Sequence, residues 1–184
     1  MKKRTKLLAL LAAGTLAVAG CGGDGDPDKS AAAGNGTDRA FVAEMIPHHE
    51  SAVEMAEIAL ERGESPFVTG LAEDIVRTQK AEISTLRRED SQLADAGVEK
   101  GALGVPAHMM GMGEDTEQLK TVAPFDDLFI KMMVPHHKGA VEMAKVELAK
   151  GLDPELKTLA REIIDAQQRE IEEMTEHLKK SGAA

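Results

Sequence analysis

From about residue 38 onward, apolar side chains recur at intervals of three and four. Phe41, Met45, Ala52, Ala56 and Ala59 fall on one stripe, while Glu50 and Glu54 lie opposite. That spacing predicts a helix with one buried face, running from about residue 38 to 62. Gly63 is expected to end it in a left-handed C-cap. Ser65-Pro66 then supplies an N-cap and a first-turn proline for a second helix, about 66–96. Alternation of the strand type is absent, so the chain reads as all-α.

The hairpin occurs twice. Shifting the sequence by 88 residues aligns positions 41–56 with 129–144, and ten of the 16 match, against about one expected from average composition. The same offset continues through Gly63/Gly151, Pro66/Pro154, Leu71/Leu159, Gln79/Gln167 and Glu82/Glu170. Two units, about 38–96 and 124–182, predict a four-helix bundle domain spanning 38–182. The connection, about 97–123, contains Gly101, Gly104, Pro106, Gly111 and Gly113. Antiparallel neighbours are usually joined by about 2–8 residues. A longer link fits the single long crossover of ferritin-like bundles, the topology expected here.

The chain before residue 38 has a different character. MKKRTK is basic, the next 14 residues are apolar, and Val18-Ala19-Gly20 precedes Cys21. This is the pattern of a secretory signal, residues 1–20, and the apolar run is shorter than the ~20 residues of a membrane span. Its end resembles the lipobox of bacterial lipoproteins, which implies a lipidated Cys21 and a protein anchored to the outer face of a bacterial membrane. Residues 21–37, rich in Gly, Asp and Ala, read as a flexible tether. Cys21 is the only cysteine, so neither a disulfide framework nor a catalytic thiol is expected.

Removing the four basic residues of the signal leaves 18 basic against 32 acidic side chains, a net charge of −14. This disfavours nucleic acid as a partner and favours cations. The chain has no Trp or Tyr and ten Met.

The strongest chemical signal is the paired string MIPHHESAVEMA at 45–56 and MVPHHKGAVEMA at 133–144. On a helical wheel His48 and His49 lie within about 60° of Met45, on the core-facing stripe, and Met55 flanks it. His136, His137, Met133 and Met143 repeat the arrangement. Pro47 and Pro135, inside their helices, each lack an N–H; a kink there would re-aim the adjacent histidines. Gln79, Glu82, Gln167 and Glu170 also fall on apolar faces near mid-helix. Imidazole and thioether donors without cysteine suit Cu(I) or Ag(I) or, with the imidazoles alone, Cu(II) and Zn(II), with Glu82 and Glu170 as acceptors for the outer ring N–H groups. In the connector, His108, Met109, Met110 and Met112 form an accessory cluster of the same donors. His177 has no histidine counterpart and reads as solvent-facing.

These duplicated motifs, with L-A…I…Q-x-x-E-I after each and a Met-Gly connector, resemble the domain-of-unknown-function family 305 over residues 38 to 180. The resemblance implies an exported ferritin-like four-helix bundle, some relatives of which bind copper or silver. The expected function is membrane-anchored copper binding, not enzymatic, for metal tolerance or trafficking. Two alternatives account for the same residues: an interaction module with a hydrogen-bonded polar layer and no ion, and a ferritin-like redox enzyme. The last is weakened because too few carboxylates share the histidine layer for a di-iron site.

Overall fold

A computed structural model describes residues 34–112 and 116–182. The signal segment, Cys21 and the tether up to residue 33 lie outside the described residues. Four helices make the fold: α1 (Gly36–Arg62), α2 (Pro66–Asp95), α3 (Phe125–Lys150) and α4 (Pro154–Ser181). No strand is present among the described residues.

Helix α1 starts two residues inside the expected tether. The Asn35 side chain accepts hydrogen bonds from the Thr37 and Asp38 amides, and the Asp38 carboxylate accepts from the Asn35 amide. This reciprocal box satisfies orphan first-turn donors and fixes the start at Gly36. Ser65 and Asp153 cap α2 and α4, each followed by proline. Both α1 and α3 remain continuous through Pro47 and Pro135.

Gly63 does not adopt the expected left-handed conformation. Its φ and ψ are −57° and 131°, and Gly151 is similar at −64° and 158°. The reason for glycine is space. A Cβ on Gly63 would lie 2.7 Å from the Ala59 carbonyl oxygen, and one on Gly151 would overlap the Glu147 carboxyl.

Two acids one repeat apart, Asp38 and Asp126, clamp the hairpins together. Asp126 accepts from the Glu64 and Ser65 amides at 2.8 and 2.9 Å. Asp38 accepts from Leu152 at 3.0 Å and Asp153 at 2.9 Å. Each acid thus caps the turn of the opposite hairpin, which sets α1 antiparallel to α3. These two helices pack together along the bundle, whereas α2 and α4 scarcely touch.

The connector spans the length of the bundle, the expected long crossover. It begins beside the start of α1, where Gly101 N donates to Gly36 O, and ends where Arg62 donates to the Leu119 carbonyl. Two short 3-10 turns, Ala107–Met109 and Thr116–Lys120, lie within it. Leu103 and Leu119 are buried and anchor it on either side of the middle.

Glu147, fully buried behind the Asp38 clamp, has no hydrogen-bond donor on either oxygen. Burial first, then the adjacent Asp38 carboxyl, pushes its pKa up to about 8. Burial would also raise Asp38, but the amides of Asn35, Asp153 and Leu152 help hold it below the ordinary value. The two acids therefore coexist with the proton on Glu147.

Candidate metal centre

The core has two apolar clusters. One gathers Met55 and Met133 around Phe125 and Phe129. The other gathers Met45 and Met143 around Phe41. Of the four motif methionines, each cluster holds one from each repeat, as an antiparallel pair of repeats requires. His48, His49, His136 and His137 are all at most 2 % exposed.

His48 and His136 meet where α1 crosses α3, with ring centroids 3.8 Å apart and planes inclined by 39°. His49 and His137 lie 6.2 and 6.5 Å from their respective neighbours. The outer pair is oriented by α2 and α4. His49 Nε2 lies 2.8 Å from Glu82 Oε2, and His137 Nε2 lies 2.5 Å from Glu170 Oε2. Both Glu are largely covered but keep an edge to solvent, and Glu170 lines a cleft between α2 and α4.

These contacts determine tautomers. A carboxylate only accepts, so His49 and His137 each donate from Nε2–H, and in the neutral form that ligates metals each carries its lone pair on Nδ1. His48 is placed in the same state by another acceptor, the Met110 carbonyl oxygen, 2.8 Å from its Nε2. All three Nδ1 atoms are buried without a partner, and on His136 neither nitrogen has one. The Oε1 atoms of Gln79 and Gln167 are likewise buried and unpartnered. Such groups cost free energy, about 1–3 kcal/mol each, unless something binds them.

Protonation does not relieve the nitrogens of His48 and His136. Burial, then electrostatic repulsion between its protonated ring and that of the neighbouring His49, lowers the His48 pKa to about 3. Burial and then His48 hold His136 well below the usual histidine range. The stacked pair is thus neutral at pH 7, the form that ligates metals.

Among the described residues, no three His, Cys, Asp or Glu side chains are gathered closely enough to hold an ion by themselves. The residues therefore do not form a ready four-coordinate zinc cage. Paired imidazoles with neutral thioethers on both sides fit a soft monovalent ion that accepts few ligands.

The connector cluster divides. His108, Met109 and Met112 are exposed, while Met110 is partly buried against the helices. His177 is not simply solvent-facing: it is partly covered and stacks on Phe67, with centroids 4.3 Å apart. The Met110–His48 contact was not visible in the motif spacing, because it is made by a backbone carbonyl.

Fold and site together define a duplicated four-helix bundle with a histidine layer at its two-fold centre. The chain belongs to the family described as Domain of unknown function (DUF305), whose model matches residues 38–178. The structure described as CopM in the Cu(I)-bound form is similar at 34% identity and TM-score 0.67, covering 78% of this chain and 96% of that one. CopM structures in Cu(II)-bound and Ag-bound forms match comparably. A putative secreted DUF305 protein from Streptomyces coelicolor gives 29% identity and TM-score 0.68 over 80% of this chain and 94% of that one. A curated relative, Uncharacterized protein L153 of Acanthamoeba polyphaga mimivirus, is 42% identical over 57 residues, 30% of this chain and 38% of that protein.

Proposed function

We propose that this protein binds copper or silver as monovalent ions at its histidine layer. His48, His49, His136 and His137 act through Nδ1, and Met45, Met55, Met133 and Met143 provide thioethers on either side. Lipidation of Cys21 would hold the bundle outside the cell membrane, where it serves tolerance or trafficking of the ion without catalytic turnover.

The observation that carries the reading is the set of buried, unpartnered Nδ1 atoms whose tautomers are set by acceptors on the far side of the ring. A layer built only for packing would pair both nitrogens of each buried imidazole. The Cu(I)- and Ag-bound forms of CopM support the choice of ion. The reading of an interaction module without an ion draws on the two His–Glu contacts, but leaves the inner nitrogens unexplained.

Thermal unfolding separates the two readings. A ligand held only by the native state at about 100 times its Kd stabilises by ~2.7 kcal/mol. For a domain of this size that raises Tm by roughly 5–10 °C. We expect such a rise with Cu(I) under anaerobic conditions, and no comparable rise with Mg(II). An unchanged Tm with Cu(I) would favour the module without an ion.

A further inference from the structure

The two repeats are nearly equivalent at the histidine layer, but the connector breaks their symmetry at one place. His48 donates to the Met110 carbonyl, whereas its counterpart His136 has no partner on either nitrogen. The connector rests on α3 through two glycines. A Cβ at Gly139 would overlap the Met110 carbonyl group, and one at Gly111 would lie 2.6 Å from the His136 Cα. Gly111 also has φ of +69°, in the left-handed region. The position equivalent to Gly139 in the first repeat is Ser51. Glycine in mid-helix is unfavourable relative to alanine, so Gly139 reflects the close approach of the connector backbone.

The outer face of this turn is unusual for the molecule. Met109 and Met112 are 45% and 44% exposed, whereas Met45, Met55, Met132, Met133, Met143 and Met174 are all buried. Two thioethers therefore face solvent on the segment that covers the stacked histidines. Among the described residues, the His48 bond is the only hydrogen bond recorded between the turn and the helices.

We propose that the turn Ala107–Met112 is a displaceable cover over the His48–His136 pair, and that Met109 and Met112 are the outward ligands that first take a soft monovalent ion. This rests on the copper or silver reading above and assigns that site its route of loading. The Met110 carbonyl is a positioning group. An ion on His48 Nδ1 withdraws electron density from the ring and makes Nε2–H a better donor, so loading tightens the bond that holds the cover shut. By reciprocity the seated cover favours the bound ion.

The test uses the full chain with Gly139→Ala, which leaves every ligand in place and suits the helix while colliding with Met110. In the ion-free protein, ring 15N NMR is expected to show His48 fixed as the Nε2–H tautomer in the wild type and mixed in the variant. Loaded with Cu(I), the variant is expected to release its ion to a competing chelator about 10-fold faster or more, in line with the usual effect of losing an outer partner of a ligand histidine. Met109→Leu with Met112→Leu should slow loading and leave the equilibrium affinity within about 2-fold. An unchanged His48 signal in Gly139→Ala, or wild-type release despite a changed signal, would overturn the cover. Wild-type loading by the double Leu variant would overturn the role of the thioethers. If the wild type takes up no Cu(I), both this proposal and the function it rests on fall, and the wild-type loading curve distinguishes that case.

Discussion

Changing His48, His49, His136 and His137 together to alanine is expected to abolish tight Cu(I) binding while the four helices persist. The fold should survive because its capping and clamping lie elsewhere: Asn35 and Asp38 at one end, Asp126 and Ser65 at the other. The two apolar clusters on either side of the layer keep their own packing. Removing the four rings also removes the unpartnered nitrogens, so the lost packing is partly offset by relief of buried polar atoms. Glu82 and Glu170 are not stranded, since both reach solvent at the edge of the bundle. Helical circular dichroism should therefore remain near wild type, while competition with a Cu(I) chelator should show affinity falling by at least about 100-fold. Retained affinity would move the site to the exposed donors of the connector. An unfolded variant would show instead that the layer holds the bundle together.

The second large effect concerns pH in the ion-free protein, where two buried devices act in opposite directions. His48 and His136 have folded pKa values depressed from 6.5, the former to about 3. The unfolded chain takes up their protons first, so stability falls as pH drops below about 6.5. Glu147 has its folded pKa raised from 4.5 to about 8. Its contribution is full below 4.5 and is lost as pH rises through 8. Between 4.5 and 6.5 the two histidines outweigh the single acid, and above 6.5 the acid outweighs them. These groups place maximal stability near pH 6.5, with a net loss of about 1 kcal/mol by pH 8. Denaturant midpoints across pH 4–9 test the curve. Glu147→Gln should flatten the alkaline side and steepen the rise between pH 4.5 and 6.5; a peak unmoved by that change would contradict the assignment.

Much of this architecture was legible from the 88-residue offset. Ser65-Pro66 and Asp153-Pro154 cap their helices as expected, and the long connector runs along the bundle. The wheel positions of His48, His49, Gln79 and their counterparts gave their burial, because a helix that buries one stripe buries whatever stands on it. The contacts that cross between hairpins were not legible. Asp38 and Asp126 share the offset, but their partners follow only once α1 is known to run against α3. Gly63 suggested a left-handed cap, and both it and Gly151 proved to serve close approach. Gly139, where the first repeat has Ser51, carried no signal in the sequence, yet it is the seat of the connector on the site. The Met110 contact belongs to a backbone carbonyl, which side-chain spacing cannot reveal.

The central claim is that the inner ring nitrogens are the ligands, and it is tested most directly by 15N NMR of the histidine side chains during titration with Ag(I). The account predicts that the Nδ1 resonances of His48, His49, His136 and His137 move, while the Nε2–H groups of His48, His49 and His137 keep their protons and partners. Changes confined to His108 and His177, or loss of the Nε2 protons from His49 and His137, would contradict it.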